Sequence, residues 1–381
     1  MLKTTGARLF GTLLGYITLI ILLLTLNPFY LALPDQITFK LQSSFGNLIA
    51  NILLFLPVGF LYRLTMKRGG AFLFGAGISL SIETAQLFIP ARTSSVVDIL
   101  ANALGAGLGA LIHDLLATRL ALTPGMVGRL RLETPLMGLL YLLVPLLWID
   151  VLALNESPNR WLLTLLLSLC GAIIFSGLFH HWLGSMNIRG VGYAGLAAGA
   201  WFLIGAGPTL LRPVPILIIA FGVMLLTALL TILPRSSKDR RFERNTLKLL
   251  FPVFALYLSL LALWFPFSPF NTWQVMFGFT DRVTDTSLQS LYPRVEQLAA
   301  FAVLGYLIAE WRGRLELPLR LDLPRLFLSV MGFALALELL SGFQSGRGAS
   351  LIRLVLSSVG ALLGGTIYHM ARAHIRFLLG H

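Results

Sequence analysis

Cysteine is nearly missing from this chain. Cys170 is the only one in 381 residues, so no disulfide and no cysteine-based metal site can form within a single copy. Charge is also scarce. Asp, Glu, Lys and Arg make up 12% of the sequence against 57% hydrophobic residues, and the mean hydropathy is +0.84, values that exclude a soluble domain. Acids are the rarer charged kind, 16 against 29 Lys and Arg, so an acid within an apolar run needs an explanation. Gly-rich phosphate loops, metal-ligand clusters and cofactor motifs are also missing. The expectation is a protein with neither metal nor cofactor.

What is present is a series of apolar runs. Stretches at about 9–27, 47–65, 71–89, 96–116, 135–154, 161–181, 191–208, 213–233, 248–266, 295–311, 325–342 and 351–371 are each long enough to cross roughly 30 Å of hydrocarbon as a helix. The sequence thus predicts an all-α, polytopic membrane protein of about twelve transmembrane helices. The first run ends at Asn27-Pro28 without a small-residue cleavage site and reads as a retained helix, not a signal peptide.

The net charge of +13 has a simpler account than nucleic-acid binding, and no nucleic-acid partner is expected. With the N-terminus placed in the cytoplasm, 21 of the 29 Lys and Arg fall on cytoplasmic segments and 8 on the other side, as the positive-inside rule requires. The densest charge run, Arg235 to Lys248, is then a cytoplasmic loop, and both termini are cytoplasmic. His113, His180, His181, His369, His374 and His381 all fall at cytoplasmic helix ends or on the tail.

Glu83 stands out because a carboxylate within a bilayer costs about 2.5–3.5 kcal/mol on insertion scales, and such residues usually face a polar interior. Ser79, Glu83 and Gln86, spaced by four and three, share one helix face. A loop with Arg92, Ser94 and Ser95 follows, and Asp98, Asn102, Gly105 and Gly109 then share a face of the next helix. The two polar faces are expected to meet across a helical hairpin, the two serines capping the second helix.

The arrangement recurs. Glu83 through Phe88, Arg92, Gly105, Gly109 and Ile112 match Glu338 through Phe343, Arg347, Gly360, Gly364 and Ile367 at a constant offset of 255. Upstream, Phe55 and Gly59 match Phe301 and Gly305, and Asn27-Pro28-Phe29 resembles Ser268-Pro269-Phe270. The chain therefore divides into residues 1–120, a central segment 121–245 without a motif, and a diverged second copy 246–381, two parallel four-helix repeats flanking four unrelated helices. Asn51, Gln86, Asp98 and Asn102 of the first copy become Gln297, Ser341, Arg353 and Ser357. Arg353 is placed to pair with Glu338 from the facing helix, which would make that site structural.

Asn51 with Phe55-Leu56-Pro57-Val58-Gly59, then Glu83-Thr84-Ala85-Gln86, Arg92, Asp98, Asn102 and Gly105, resemble the VanZ-like family of bacterial membrane proteins over about residues 9–116. The resemblance implies a four-helix membrane domain and a link to the cell envelope; the family's named member is associated with resistance to teicoplanin. It supplies no reaction. The candidate ligand site is Asn51, Glu83, Gln86, Arg92, Asp98 and Asn102, with Gln297, Glu338, Arg347 and Arg353 as second-copy equivalents.

Three functional readings stand beside plain interhelical glue, in which an Arg92 ion pair to Glu83 or Asp98 holds the hairpin. The first is binding or movement of a lipid or lipid-linked envelope precursor at the outer side of the bacterial inner membrane, with an effect on glycopeptide susceptibility. The second is a scaffold or regulator whose partners are membrane proteins. The third is an enzyme using Glu83 and Asp98 as acid and base on a headgroup, weakened by the absence of an outer-face His or Cys.

Overall fold

The computed structural model describes residues 4–26, 32–33, 39–41, 43–66, 70–90, 92–119, 124–156, 160–183, 188–207, 213–233, 242–263, 275–276, 288–313, 317–344 and 348–378. Among them are helices α1 (Thr4–Thr25), α2 (Phe45–Thr65), α3 (Ala71–Gln86), α4 (Val96–Arg119), α5 (Pro124–Glu156), α6 (Trp161–Leu183), α7 (Ile188–Ala206), α8 (Pro213–Ile232), α9 (Phe242–Leu263), α10 (Leu288–Arg312), α11 (Leu319–Ser341) and α12 (Leu351–Leu378). Two short strands, β1 (Val275–Met276) and β2 (Ala349–Ser350), pair in parallel.

Nine of the helices are long and apolar enough among the described residues to cross a membrane. The chain is a multi-pass helical membrane protein. The three outside that set are α3, α7 and α10. Helix α3 has 16 residues and stops at Gln86, short of the expected Ile89, because the chain leaves the helix through turns that bond Phe88 N to Ala85 O and Ile89 N to Gln86 O. Helix α10 carries Arg294, Glu296, Glu310 and Arg312. Helix α5 starts at Pro124, well before the apolar run at 135, since a helix keeps bonding its own backbone beyond the hydrocarbon. The Arg235–Arg241 part of the charged loop and both proline tripeptides of the repeat lie outside the described residues.

Small residues set the packing. Gly59 of α2 meets the Ala106 backbone of α4, and Gly105 of α4 meets the Ile52 backbone, so closely that a Cβ has no room. The same is true of Gly305 on α10 against Ala361 of α12, and of Gly360 against Leu298. Close backbone approach of this kind is how membrane helices gain dispersion contacts when lipid is as apolar as their side chains. Gly105 lies by Ile52 and Gly109 by Leu56, so α2 and α4 run parallel, with α3 returning antiparallel between them. Likewise Gly360 lies by Leu298 and Gly364 by Ala302, so α10 and α12 are parallel.

Helix α1 fixes the relative direction of the two units. Near its start, the Thr12 hydroxyl contacts the Met370 sulfur at 3.4 Å and Phe10 meets His374 of α12 edge-on. Near its end, the Thr25 and Leu24 carbonyls accept from Gln86 and Arg92. Helices α1 and α12 are therefore antiparallel. The start of α12, the start of α4 and the end of α1 share one end of the bundle, which brings Glu83 and Glu338 to that same end. Central helices α5 and α6 form the most buried part, around Trp148, whose indole N–H donates to the Ile204 carbonyl at 2.9 Å.

Candidate functional site

Glu83 projects from the last turn of α3 and is 4% exposed. Its Oε2 accepts from the Ser95 backbone N–H at 2.8 Å, while the Ser94 hydroxyl donates to the Glu83 carbonyl at 2.7 Å. The Ser95 hydroxyl accepts from the Asp98 N–H at 3.3 Å and so caps α4. A parallel bridge between Lys40 and Ser95 lays a preceding segment along this turn.

Asp98, one turn into α4, is close enough to Glu83 for their charges to act on each other, and its carboxylate faces the Ser43 hydroxyl and the Asn51 amide. Asn102, one turn further, donates to the Ser79 hydroxyl at 2.8 Å. Asp98 Oδ1 and Asn102 Oδ1 are buried without a hydrogen-bond partner. The expected meeting of polar faces is present: Asn51 from α2, Ser79 and Glu83 from α3, and Asp98 and Asn102 from α4 converge.

Two of the candidates point elsewhere. Gln86 donates to the Thr25 carbonyl at 2.9 Å, and Arg92 to the Leu24 carbonyl at 3.4 Å, so both tie the hairpin to α1. The ion pair expected from Arg92 to Glu83 or Asp98 is not formed. Arg92 lies in the turn before α4, on the side of α1, whereas the carboxylates face inward toward α2. The cluster therefore holds two neighbouring acids, and no described cation forms an ion pair with either.

Around Glu338 the frame is the same and the contents differ. Glu338 Oε2 accepts from the Ser350 N–H at 3.0 Å, and the Ser350 hydroxyl from the Arg353 N–H at 3.3 Å. Strand β1 pairs with Ser350 as Lys40 does with Ser95. Arg353, however, grips the carboxylate at two points, Nε to Oε1 at 3.0 Å and a terminal nitrogen to Oε2 at 2.8 Å. It also donates to the Gly348 carbonyl. Gln297 and Ser357 join at 2.9 Å. Arg347 lies outside the described residues.

A third polar cluster escaped the sequence reading, which found no motif in the centre. Asp150 of α5 and Glu296 of α10 are both 0% exposed, and Arg160, just before α6, forms ion pairs with each. The Thr164 hydroxyl donates to Asp150 at 2.6 Å and the Tyr257 hydroxyl to Glu296 at 3.3 Å. Asp150 lies inside an apolar run, so the rule that selected Glu83 would have found it; its partners lie too far away in sequence for a spacing rule.

At the other end of the bundle, Arg63 and His113 pair with Asp114, and Arg312 and His369 with Asp322. Among the described residues, no group of three or more His, Cys, Asp and Glu gathers to hold a metal.

Residues 9–117, the span of α1–α4, match the VanZ/LLP1 family. This part of the chain is VanZ-like. The match takes in Asn51, Glu83, Gln86, Arg92, Asp98 and Asn102 and ends at the close of α4, so it covers none of the residues around Glu338 or Asp150. No curated protein and no solved structure matches the chain significantly.

Proposed function

We propose that the VanZ-like helices bind a lipid or lipid-linked envelope headgroup that presents hydrogen-bond donors, an ammonium or amide-rich group, to Glu83 and Asp98. The observation that carries this reading is the contrast within the chain. At the site of Glu338 the position corresponding to Asp98 is Arg353, whose guanidinium occupies the carboxylate. At Glu83 the same frame holds a second acid, two orphan acceptor oxygens and, among the described residues, no paired cation. Buried acceptor oxygens without donors, Asp98 Oδ1 and Asn102 Oδ1, favour a ligand that brings them.

The reading treats residues 246–381 as a diverged duplicate of 1–120, supported by the shared serine and glycine contacts. It places the protein in the bacterial inner membrane with both termini cytoplasmic, supported by the distribution of Lys and Arg, and puts the Glu83 end at the outer leaflet. A role in handling envelope lipids, with an effect on glycopeptide susceptibility, follows as the physiological setting.

The test is retention of defined lipids by the purified full chain, measured by native mass spectrometry after exchange into phosphatidylethanolamine or phosphatidylglycerol vesicles. Wild type should retain the amine-bearing lipid preferentially, and the Glu83→Gln, Asp98→Asn variant should lose that preference at unchanged melting temperature. Equal retention by wild type and variant would remove the headgroup reading and leave a scaffold role.

A further inference from the structure

The Asp150 cluster does not belong to the VanZ-like region and has a charge balance of its own. Asp150 and Glu296 lie within hydrogen-bonding reach of one another, and neither exposes any surface. Among the described residues, the charged and titratable groups facing them are Arg160, from the turn before α6, and Tyr257, from α9. With both acids ionised, two negative charges would share one guanidinium, leaving a net charge of −1 sealed in the protein. An uncompensated buried ion costs several kcal/mol, and two carboxylates in contact do not both ionise readily. Glu296 Oε2 and Asp150 Oδ1 are also buried without a hydrogen-bond partner.

We propose that Asp150 and Glu296 together bind one proton, shared between their carboxyl groups and clamped by Arg160. One carboxyl donates its O–H to the other carboxylate, the remaining negative charge is balanced by Arg160, and the Thr164 and Tyr257 hydroxyls satisfy flanking oxygens. The site is a seam joining the central helices α5 and α6 to α9 and α10. Losing the proton leaves the negative charge uncompensated between these helices and weakens their contact. The neighbour of Glu296, Gln297, bonds Ser357 of α12, so a shift of α10 at the seam reaches the Glu338 unit directly.

The experiment is infrared spectroscopy of the purified full chain, following carbonyl absorption of protonated carboxyls as pH is raised from mildly acidic to alkaline. Asp150→Asn and Glu296→Gln should each remove the same single protonated carboxyl from the neutral-pH spectrum, and the double variant should remove no more. Because these changes risk misfolding, Thr164→Val provides a milder arm. It deletes a donor that favours the ionised pair, so in this variant the band should persist to higher pH than in wild type. Wild-type thermal stability should fall as pH rises through that titration, since the folded state holds a proton that the unfolded chain releases. Spectra unchanged in both single variants, or a Thr164→Val titration identical to wild type, would overturn the shared proton.

Discussion

Arg353 holds Glu338 through two parallel hydrogen bonds, 3.0 Å from Nε to Oε1 and 2.8 Å from the terminal nitrogen to Oε2, at the position where the VanZ-like region has Asp98 beside Glu83. The backbone around the two sites is matched to the hydrogen bond, with Ser95 and Ser350 each offering their N–H to the glutamate. The exchange of Asp98 for Arg353 thus separates an acid-rich site from a charge-balanced one.

That difference can be transplanted. Asp98→Arg should place a guanidinium beside Glu83 and close the first site as Arg353 closes the second. A charge-assisted bond of this kind contributes about 1.5–3 kcal/mol, so the melting temperature in detergent should hold or rise while lipid retention is lost. A variant that both melts higher and keeps its lipid preference would show that the two carboxylates are not the binding group.

Neutralising the two glutamates should give opposite patterns. Glu338→Gln strands Arg353 in a half-closed site, and removing one partner of a buried pair costs about 3–5 kcal/mol. Glu83→Gln keeps an acceptor for the Ser95 N–H and relieves the repulsion from Asp98, so its cost should stay within about 1 kcal/mol. Thermal melts of both variants check the first half of the pattern. Complementation of an envelope-stress or antibiotic-sensitivity phenotype checks the second, with Glu83→Gln inactive and Glu338→Gln active in proportion to the protein that folds.

The legible parts of this molecule were those carried by local spacing. Ser79, Glu83, Asp98 and Asn102 converge because four- and three-residue steps fix a helix face, and the repeated glycines Gly59 and Gly305, Gly105 and Gly360 all pack against a neighbouring helix backbone. The Glu338 to Arg353 pair was readable for the same reason. Arg92 was misjudged because a turn residue has no face, and the carbonyl it meets belongs to α1, 68 positions away. The Asp150, Arg160 and Glu296 cluster spans more than a hundred residues, a distance over which periodicity carries no information.

The glycine contacts give a stability prediction with a built-in comparison. A Cβ at Gly105 would strike the Ile52 backbone, and one at Gly360 the Leu298 backbone, neither of which can yield like a flexible side chain. Gly105→Leu and Gly360→Leu should each destabilise by at least the 1–3 kcal/mol typical of overpacking. Gly77, on α3 with nothing within 4 Å of a built Cβ, should accept Leu with little change. Melting temperatures of the three variants decide it, and equal tolerance at Gly105 and Gly77 would contradict the packing described.

Orientation in the membrane can be read with introduced thiols, because the native Cys170 is buried and should stay silent. Ser94, although in the turn before α4, is 2% exposed, so neighbouring Thr93 is the better reporter for the Glu83 end. Met66, at the other end of α2 and 52% exposed, reports the end where Arg63, Lys67 and Arg68 cluster. The positive-inside rule places that basic end in the cytoplasm. In intact cells an impermeant maleimide should therefore label Thr93→Cys and spare Met66→Cys, and permeabilisation should make both react. Labelling of Met66→Cys but not Thr93→Cys from outside would invert the topology and put the Glu83 cluster at the inner leaflet, where an envelope precursor on the outer face could not reach it.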